Sequence, residues 1–311
     1  MFPGQGSQYV GMGKTLLNEF SYVSQVFEEA EDALKLDLRK ICLEGPEEQL
    51  KLTENTQPTI LTTSIAAWKV LSNETGINPD FYAGHSLGEY SALVASGKIS
   101  LSDAVKLVRV RGQQMQIAVP HGKGAMSAIL NYDEQALKAK CHEVSSLLIN
   151  DGLDEMASSV EIANFNSAKQ LIVSGGKEAV SKLGEILIAE KIRVVPLPVS
   201  APFHSRLMKP AREAMEPLLR DTQLLENDRR VIANITGDIA APYKIENLIE
   251  QIDGPVLWTQ SIAKAVELEC SQFVEIGPGK VLTGLIRRSV PKTSKVLPTD
   301  DILSSIESLN S

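Results

Sequence analysis

Cysteine is scarce and scattered: Cys42, Cys141 and Cys270 are the only three in 311 residues. Odd in number, far apart and in no Cys-x-x-Cys pair, they indicate neither a disulfide framework nor a zinc site, and are expected as small buried hydrophobes. No apolar run approaches the ~18 residues needed to span a bilayer. The opening Met1-Phe2-Pro3-Gly4-Gln5 lacks the basic-then-apolar layout of a signal peptide, so a cytoplasmic chain without a membrane partner is expected. Basic residues are in the minority, 31 against 39 acidic for a net charge of −8. That argues against nucleic acid, whose binders need a basic surface to displace counterions. Repeats and low-complexity segments are absent, histidine is limited to four, and no three ligand residues fall at metal spacing, so a metal-activated water is not expected. Small molecules and proteins remain as partners. A content of 43% apolar and 23% charged residues suits a globular enzyme large enough for one big core or two domains.

What is present is an alternation of amphipathic stretches with short β-branched runs, the pattern of an α/β fold with a parallel sheet covered by helices. Apolar residues at three and four predict helices over about 14–34, 57–73, 87–97, 101–118, 133–149, 177–190, 205–220 and 258–269. Strands are expected over 80–84, 125–130, 159–164, 170–174, 192–197, 231–235 and 272–276, most ending in Gly, Asn or Pro. From 123 to 197 the order is strand, helix, strand, strand, helix, strand, which a small split-βαβ unit gives. Two parts follow: a large subdomain of residues 1–122 and 198–311, and a small inserted subdomain of residues 123–197.

The sharpest local feature is Gly84-His85-Ser86-Leu87-Gly88, after an expected strand and at the start of an expected helix, the context a nucleophile elbow requires. In so tight a turn, side chains two before and two after the serine would collide with backbone, which only Gly avoids. Ser86 would stand clear of the sheet at a helix N-terminus, where partial positive charge favours a developing oxyanion, with the Leu87 amide as first donor. A serine capping a helix between two loop glycines would carry the same letters.

A nucleophilic serine needs a base. His85 lies inside the elbow and should point away from Ser86, His142 is mid-helix and His121 sits in a linker turn. His204, in Ser200-Ala201-Pro202-Phe203-His204-Ser205, lies between a strand and a helix where a loop could carry it over the sheet's end. No lone carboxylate stands out as its orienter; a backbone carbonyl suffices, since the third group mainly fixes tautomer and ring direction. Two glycine-rich segments, Phe2-Pro3-Gly4-Gln5-Gly6-Ser7-Gln8 and Glu275-Ile276-Gly277-Pro278-Gly279-Lys280, fail as phosphate loops. Each reads as backbone beside a site, and the second equally as an ordinary tight turn.

Taken together, these segments, with Arg111-Gly112-Gln113-Gln114-Met115 and Ala163-Asn164-Phe165-Asn166-Ser167, stand in an order that resembles the malonyl-CoA:acyl carrier protein transacylases of fatty acid synthesis. More distantly they resemble the acyltransferase domains of polyketide synthases. The resemblance spans essentially the whole chain. It implies an α/β-hydrolase-like large subdomain with a ferredoxin-like insert, and malonyl transfer from malonyl-CoA to the phosphopantetheine thiol of acyl carrier protein through a malonyl-serine ester. No cofactor is implied, and relatives act as monomers.

By motif, Ser86 is then the acylated nucleophile and His204 its base. The Gln5 and Leu87 amides form the oxyanion hole, Arg111 holds the malonyl carboxylate in a two-pronged pair, and Asn164 and Met115 contribute to substrate binding. Arg109 is the neighbouring competitor, but two helix positions apart they face different directions, and the motif's following Gly selects Arg111. The resemblance also implies that the imidazole is oriented by a main-chain carbonyl near Trp258, at Leu257 in this chain. Departures are Leu257, where relatives often have Gln or Arg, and Ala168, where Pro is common. The third is the lone Met1 before Phe2, where relatives usually carry a short strand; either that strand is largely missing or the start site is misassigned, and in the first case the Gln5 amide is expected to be less well placed. From Gly277 to Pro298 five basic residues (Lys280, Arg287, Arg288, Lys292, Lys295) occur with no acidic one, so this stretch is expected to help dock an acidic carrier protein.

Overall fold

The computed structural model describes residues 1–199, 201–287 and 289–311. It is an α/β structure with mixed sheets. β1 (Phe81–Ala83), β2 (Gly124–Leu130), β3 (Val160–Ser167), β4 (Gln170–Gly176), β5 (Arg193–Pro196), β6 (Arg230–Ala233) and β8 (Gln272–Glu275) fall on the seven runs expected as strands. β7 (Asp238–Ala240) and β9 (Lys295–Pro298) were not foreseen.

A purely parallel sheet was expected, and the large part departs from it. β1 pairs parallel with β6, but β7 returns antiparallel on β6. β8 and β9 form a separate parallel pair. Backbone at the start of the chain links the two groups. Phe2 donates to Ala83 O at 2.9 Å and accepts from His85 N at 3.0 Å, and Met1 O accepts from Ile276 N at 2.7 Å. Phe2 thus bridges Gly84 and fixes the backbone entering Pro3-Gly4-Gln5.

Residues 124–196 form an antiparallel sheet in the order β3-β4-β2-β5. Strand parity splits its side chains between two faces. Ile129, Leu171 and Val173 pack on the helices Glu134–Asn150 and Lys177–Ala189 in one core. Met126, Ala128 and Ile172, on the other face, cluster with Leu197, Val199 and Phe203.

Two helices fix what lies beneath. Thr53–Thr75 is buried on almost every side. Leu101–Ile117 starts where Ser100 Oγ accepts from Asp103 N, an N-cap that satisfies a free donor. They cross so closely that a Cβ at Gly112 would lie 2.7 Å from Thr53 O. The glycine of the Arg-Gly pair thus permits the approach, and the approach places Arg111. The stretch expected as one helix over 14–34 is two, Lys14–Glu19 and Ser24–Leu34, because Phe20 turns extended (φ −127°) and a 3-10 turn follows. The apolar spacing survives the break because Leu16, Val23, Val26 and Phe27 all enter one core. Cys42 and Cys141 are buried as expected, whereas Cys270 is only half-buried.

Candidate active site

Ser86 sits on the turn from β1 into the helix Leu87–Ala95, with φ at +53°, a conformation unusual for a residue with a Cβ. The flanking glycines make it possible. A Cβ at Gly84 would run into the Gly88 carbonyl, and one at Gly88 into the Phe2 carbonyl. The elbow is also pinned from outside: Ser86 N donates to Asn234 Oδ1 at 2.7 Å and Asn234 Nδ2 donates to Gly84 O at 2.6 Å.

His204 reaches Ser86 as expected, with Nε2 2.7 Å from Oγ. It too has a positive φ, +57°. Its other nitrogen corrects one expectation. Nδ1 faces the carbonyls of Gln251 at 2.9 Å and Gly254 at 3.1 Å, not that of Leu257. The Leu257 carbonyl accepts from Ser261 N and Oγ at the start of the helix Trp258–Glu267 and is unavailable to the ring. Two carbonyl acceptors fix the proton on Nδ1 and leave Nε2 free to take the serine proton. Burial, then the neighbouring Arg111 and His85, push His204 down to about 3, so the ring is in its neutral, proton-accepting form at neutral pH. Among the other histidines, His85 turns from Ser86 to Asn166 Oδ1 at 2.8 Å, tying the elbow to β3. His121 and His142 are exposed.

Arg111 is 1% exposed, and its Nη2 lies 3.1 Å from Ser86 Oγ. Its other contacts are neutral: Gln57 Oε1 takes Nη1 at 2.9 Å, Gln251 Oε1 takes Nη2 at 2.9 Å, and the Tyr90 ring lies 5.6 Å away. Among the described residues no carboxylate pairs with it directly. A buried guanidinium beside the Ser86 hydroxyl, held by amides and with no carboxylate in direct contact among the described residues, is complementary to a carboxylate on an acyl group. Arg109 points elsewhere, to Asn55 Oδ1 at 3.0 Å.

These groups open into a cavity of about 260 Å³ lined also by Gln5, Leu87, Met115 and Asn164. No acceptor among the described residues takes the main-chain N–H of Gln5 or Leu87. The Met126, Ala128 and Ile172 face of the small sheet roofs it, with Phe203 beside the base. At the mouth lies the helix Val281–Ile286, whose Val281, Leu282 and Leu285 line the cavity. The second glycine-rich segment therefore belongs to the site. Glu275 caps that helix, accepting from Leu282 N at 2.9 Å and Thr283 N at 2.7 Å. Lys280 and Arg287 flank it and are exposed; Arg288 lies outside the described residues.

Sequence reasoning missed four supporting side chains: Gln57, Asn234, Gln251 and Tyr243. Glu89, quoted only as a letter of the elbow motif, proves fully buried, and burial pushes it up to about 7 against the donors that surround it. A carboxylate within the apolar run Leu87–Ala95 was a readable signal; the amides carried none.

The sequence matches the acyl transferase domain over residues 1–303. It is 44% identical over 307 residues to the malonyl CoA-acyl carrier protein transacylase of Bacillus subtilis (strain 168), covering 97% of this chain and 92% of that one. Identity to the Escherichia coli (strain K12) protein of that name is 40% over 297 residues, covering 93% and 92%. Among solved structures, FabD from Acinetobacter baumannii superposes with a TM-score of 0.92 at 40% identity, covering 99% of this chain and 96% of that one. A malonyl-transacylase in complex with a type II PKS acyl-carrier protein gives 0.89 at 39%, covering 99% and 98%.

Proposed function

From its membership of the acyl transferase domain family, to which this chain belongs, we infer that it is an acyltransferase moving the malonyl group of malonyl-CoA to the phosphopantetheine thiol of acyl carrier protein. Its product supplies fatty acid synthesis. The observation that carries the malonyl reading is the Arg111 guanidinium, 3.1 Å from the nucleophilic oxygen and without a carboxylate of its own.

His204 Nε2 takes the proton from Ser86 Oγ as the oxygen attacks the malonyl thioester carbonyl. The Gln5 and Leu87 amides receive the developing oxyanion, and coenzyme A leaves as its thiol with the proton from His204. Arg111 holds the free carboxylate of the malonyl-serine ester, fixing the acyl carbonyl for the second half. The carrier protein's thiol then gives its proton to His204 and attacks, and the proton returns to Ser86. Both halves use the same side chains and require no cofactor.

Residues 123–197 are read as an inserted ferredoxin-like unit on an α/β-hydrolase-like part made of 1–122 and 198–311. The insert's strand order, and a core of its own under two helices, support this. Asn164 and Met115 line the substrate cavity. Lys280 and Arg287 lie at the ends of the mouth helix, where positive charge would meet an acidic carrier. The same reading takes the protein as a cytoplasmic monomer acting without nucleic acid or membrane; among the described residues no helix is long and apolar enough to cross a bilayer.

The test is loading of Ser86 from radiolabelled malonyl-CoA and acetyl-CoA, then chase with holo acyl carrier protein. Malonyl is expected to load in preference, to persist until carrier is added, and to lose its preference in Arg111→Ala. Rapid release of free malonate without carrier would instead make the protein a hydrolase. Retained preference in Arg111→Ala would remove the guanidinium from the mechanism.

A further inference from the structure

Three residues after the nucleophile, on the inner side of the elbow helix, the Glu89 carboxylate is withdrawn completely from solvent. Its oxygens are met by donors from three segments: Tyr243 Oη at 2.6 Å, Gln251 Nε2 at 2.7 Å and Asn234 N at 3.2 Å. Among the described residues no lysine or arginine touches it. The charged group nearest it is Arg111, beyond the Gln251 amide, and the titratable neighbours besides are the neutral phenols of Tyr243 and Tyr90.

The Gln251 amide lies between Glu89, which in its ionised form only accepts, and a guanidinium that only donates. Its Nε2 donates to Glu89 Oε2 and to Ser86 O at 3.0 Å, while Oε1 accepts from Arg111 Nη2 at 2.9 Å. Turned over, it would set an NH₂ against the guanidinium and an oxygen against a carboxylate and a carbonyl. The acceptors at Glu89 and at Ser86 O together set which end of Gln251 faces Arg111, and Glu89 makes the shorter of the two bonds.

We propose that Glu89 is a positioning residue for the acyl-carboxylate clamp, holding Arg111 in place through the side chain of Gln251. The proposal rests on the reading of Arg111 given above. Glu89 touches neither substrate nor reacting atom; it sets the orientation of the group that does. Without an acceptor there, Nε2 keeps only the Ser86 carbonyl, and the amide is free to shift toward it. The guanidinium then loses one of the two amides that aim it, and a clamp that swings by about an ångström selects poorly.

The readout is the ratio of malonyl to acetyl loading on Ser86, which a loss of folded enzyme leaves unchanged because both substrates suffer alike. Glu89→Met, similar in size but without an acceptor, is expected to lower the ratio about tenfold. Glu89→Gln can keep an oxygen toward Gln251 and turn its NH₂ to the Tyr243 hydroxyl, and is expected to stay within about threefold of wild type. Gln251→Met should reproduce the loss, and the double variant Glu89→Met/Gln251→Met should lose no more than the worse single one. A wild-type ratio in a folded Glu89→Met protein overturns the proposal. If that variant does not fold, Gln251→Met decides, since Gln251 is the side chain hydrogen-bonded to both Glu89 and Arg111, and an unchanged ratio there is equally fatal. Arg111→Ala run in parallel separates the two readings. Retained malonyl preference in it overturns both, whereas preference lost in Arg111→Ala but kept in Glu89→Met overturns this inference alone.

Discussion

Two groups flank the Ser86 hydroxyl, and they are held by different parts of the polypeptide. His204 leans on main-chain carbonyls, those of Gln251 and Gly254. Arg111 leans on side chains, the amides of Gln57 and Gln251. On the proposed function, the first group performs chemistry common to any acyl ester, and the second chooses the acyl group. Carbonyls along a fixed chain path are indifferent to residue type, so the general chemistry is insulated from most substitutions, while selectivity stays open to single side-chain changes. Gln251 belongs to both sides, through its carbonyl for the base and through its amide for the clamp.

The largest break should come at the shared support. Gly88→Ala drives a methyl group into the Phe2 carbonyl, and is expected to abolish malonyl loading and lower Tm, measured by labelling and thermal melting. Next is the base: His204→Ala should slow malonyl and acetyl loading alike, by about 10²- to 10⁴-fold, at an unchanged Tm. Arg111→Lys probes the other side. It keeps the charge but cannot reach Gln57, Gln251 and the acyl carboxylate together, so malonyl loading should fall about tenfold while acetyl loading hardly moves.

The subtlest effect couples the two sides. Arg111 is the second cause, after burial, of the depressed His204 value near 3. The base is active when neutral, above its pKa, and removing a neighbouring positive charge raises that pKa. The acid limb of acetyl loading in Arg111→Ala should therefore shift to higher pH than in wild type. A limb that stays in place would mean that the two groups do not sense each other.

How much of this was legible in the sequence follows the same division. Ser86 could be picked out because the Gly-x-Ser-x-Gly turn has a mechanical reason, His204 because the chain has only four histidines, and Arg111 because a family motif and its following Gly112 single it out. The orienting carbonyls could not, since every residue owns one and only the path of the chain selects which; Leu257 was expected on the strength of its place near Trp258. Gln57, Asn234 and Gln251 were invisible because a buried amide looks like a surface one until its partners are known. In the fold, the seven expected strands formed because β-branched runs bounded by turns leave little choice. The antiparallel return of β7 was missed because a three-residue strand has no periodicity to detect. The break at Phe20 hid behind apolar spacing that both helices share.

The carbonyl mount of His204 also bears on inheritance. A triad with an aspartate can be disabled by a single base change in that codon. Here the orienter is written in the length and course of the segment from 245 to 254, and its carbonyl at 251 survives any missense change that leaves the course intact. Insertions and deletions in that loop, rather than substitutions, are the lesions that would silence the base. Substitutions at Gln251 would reach the clamp first, leaving an enzyme still able to acylate Ser86 but less selective about what it accepts.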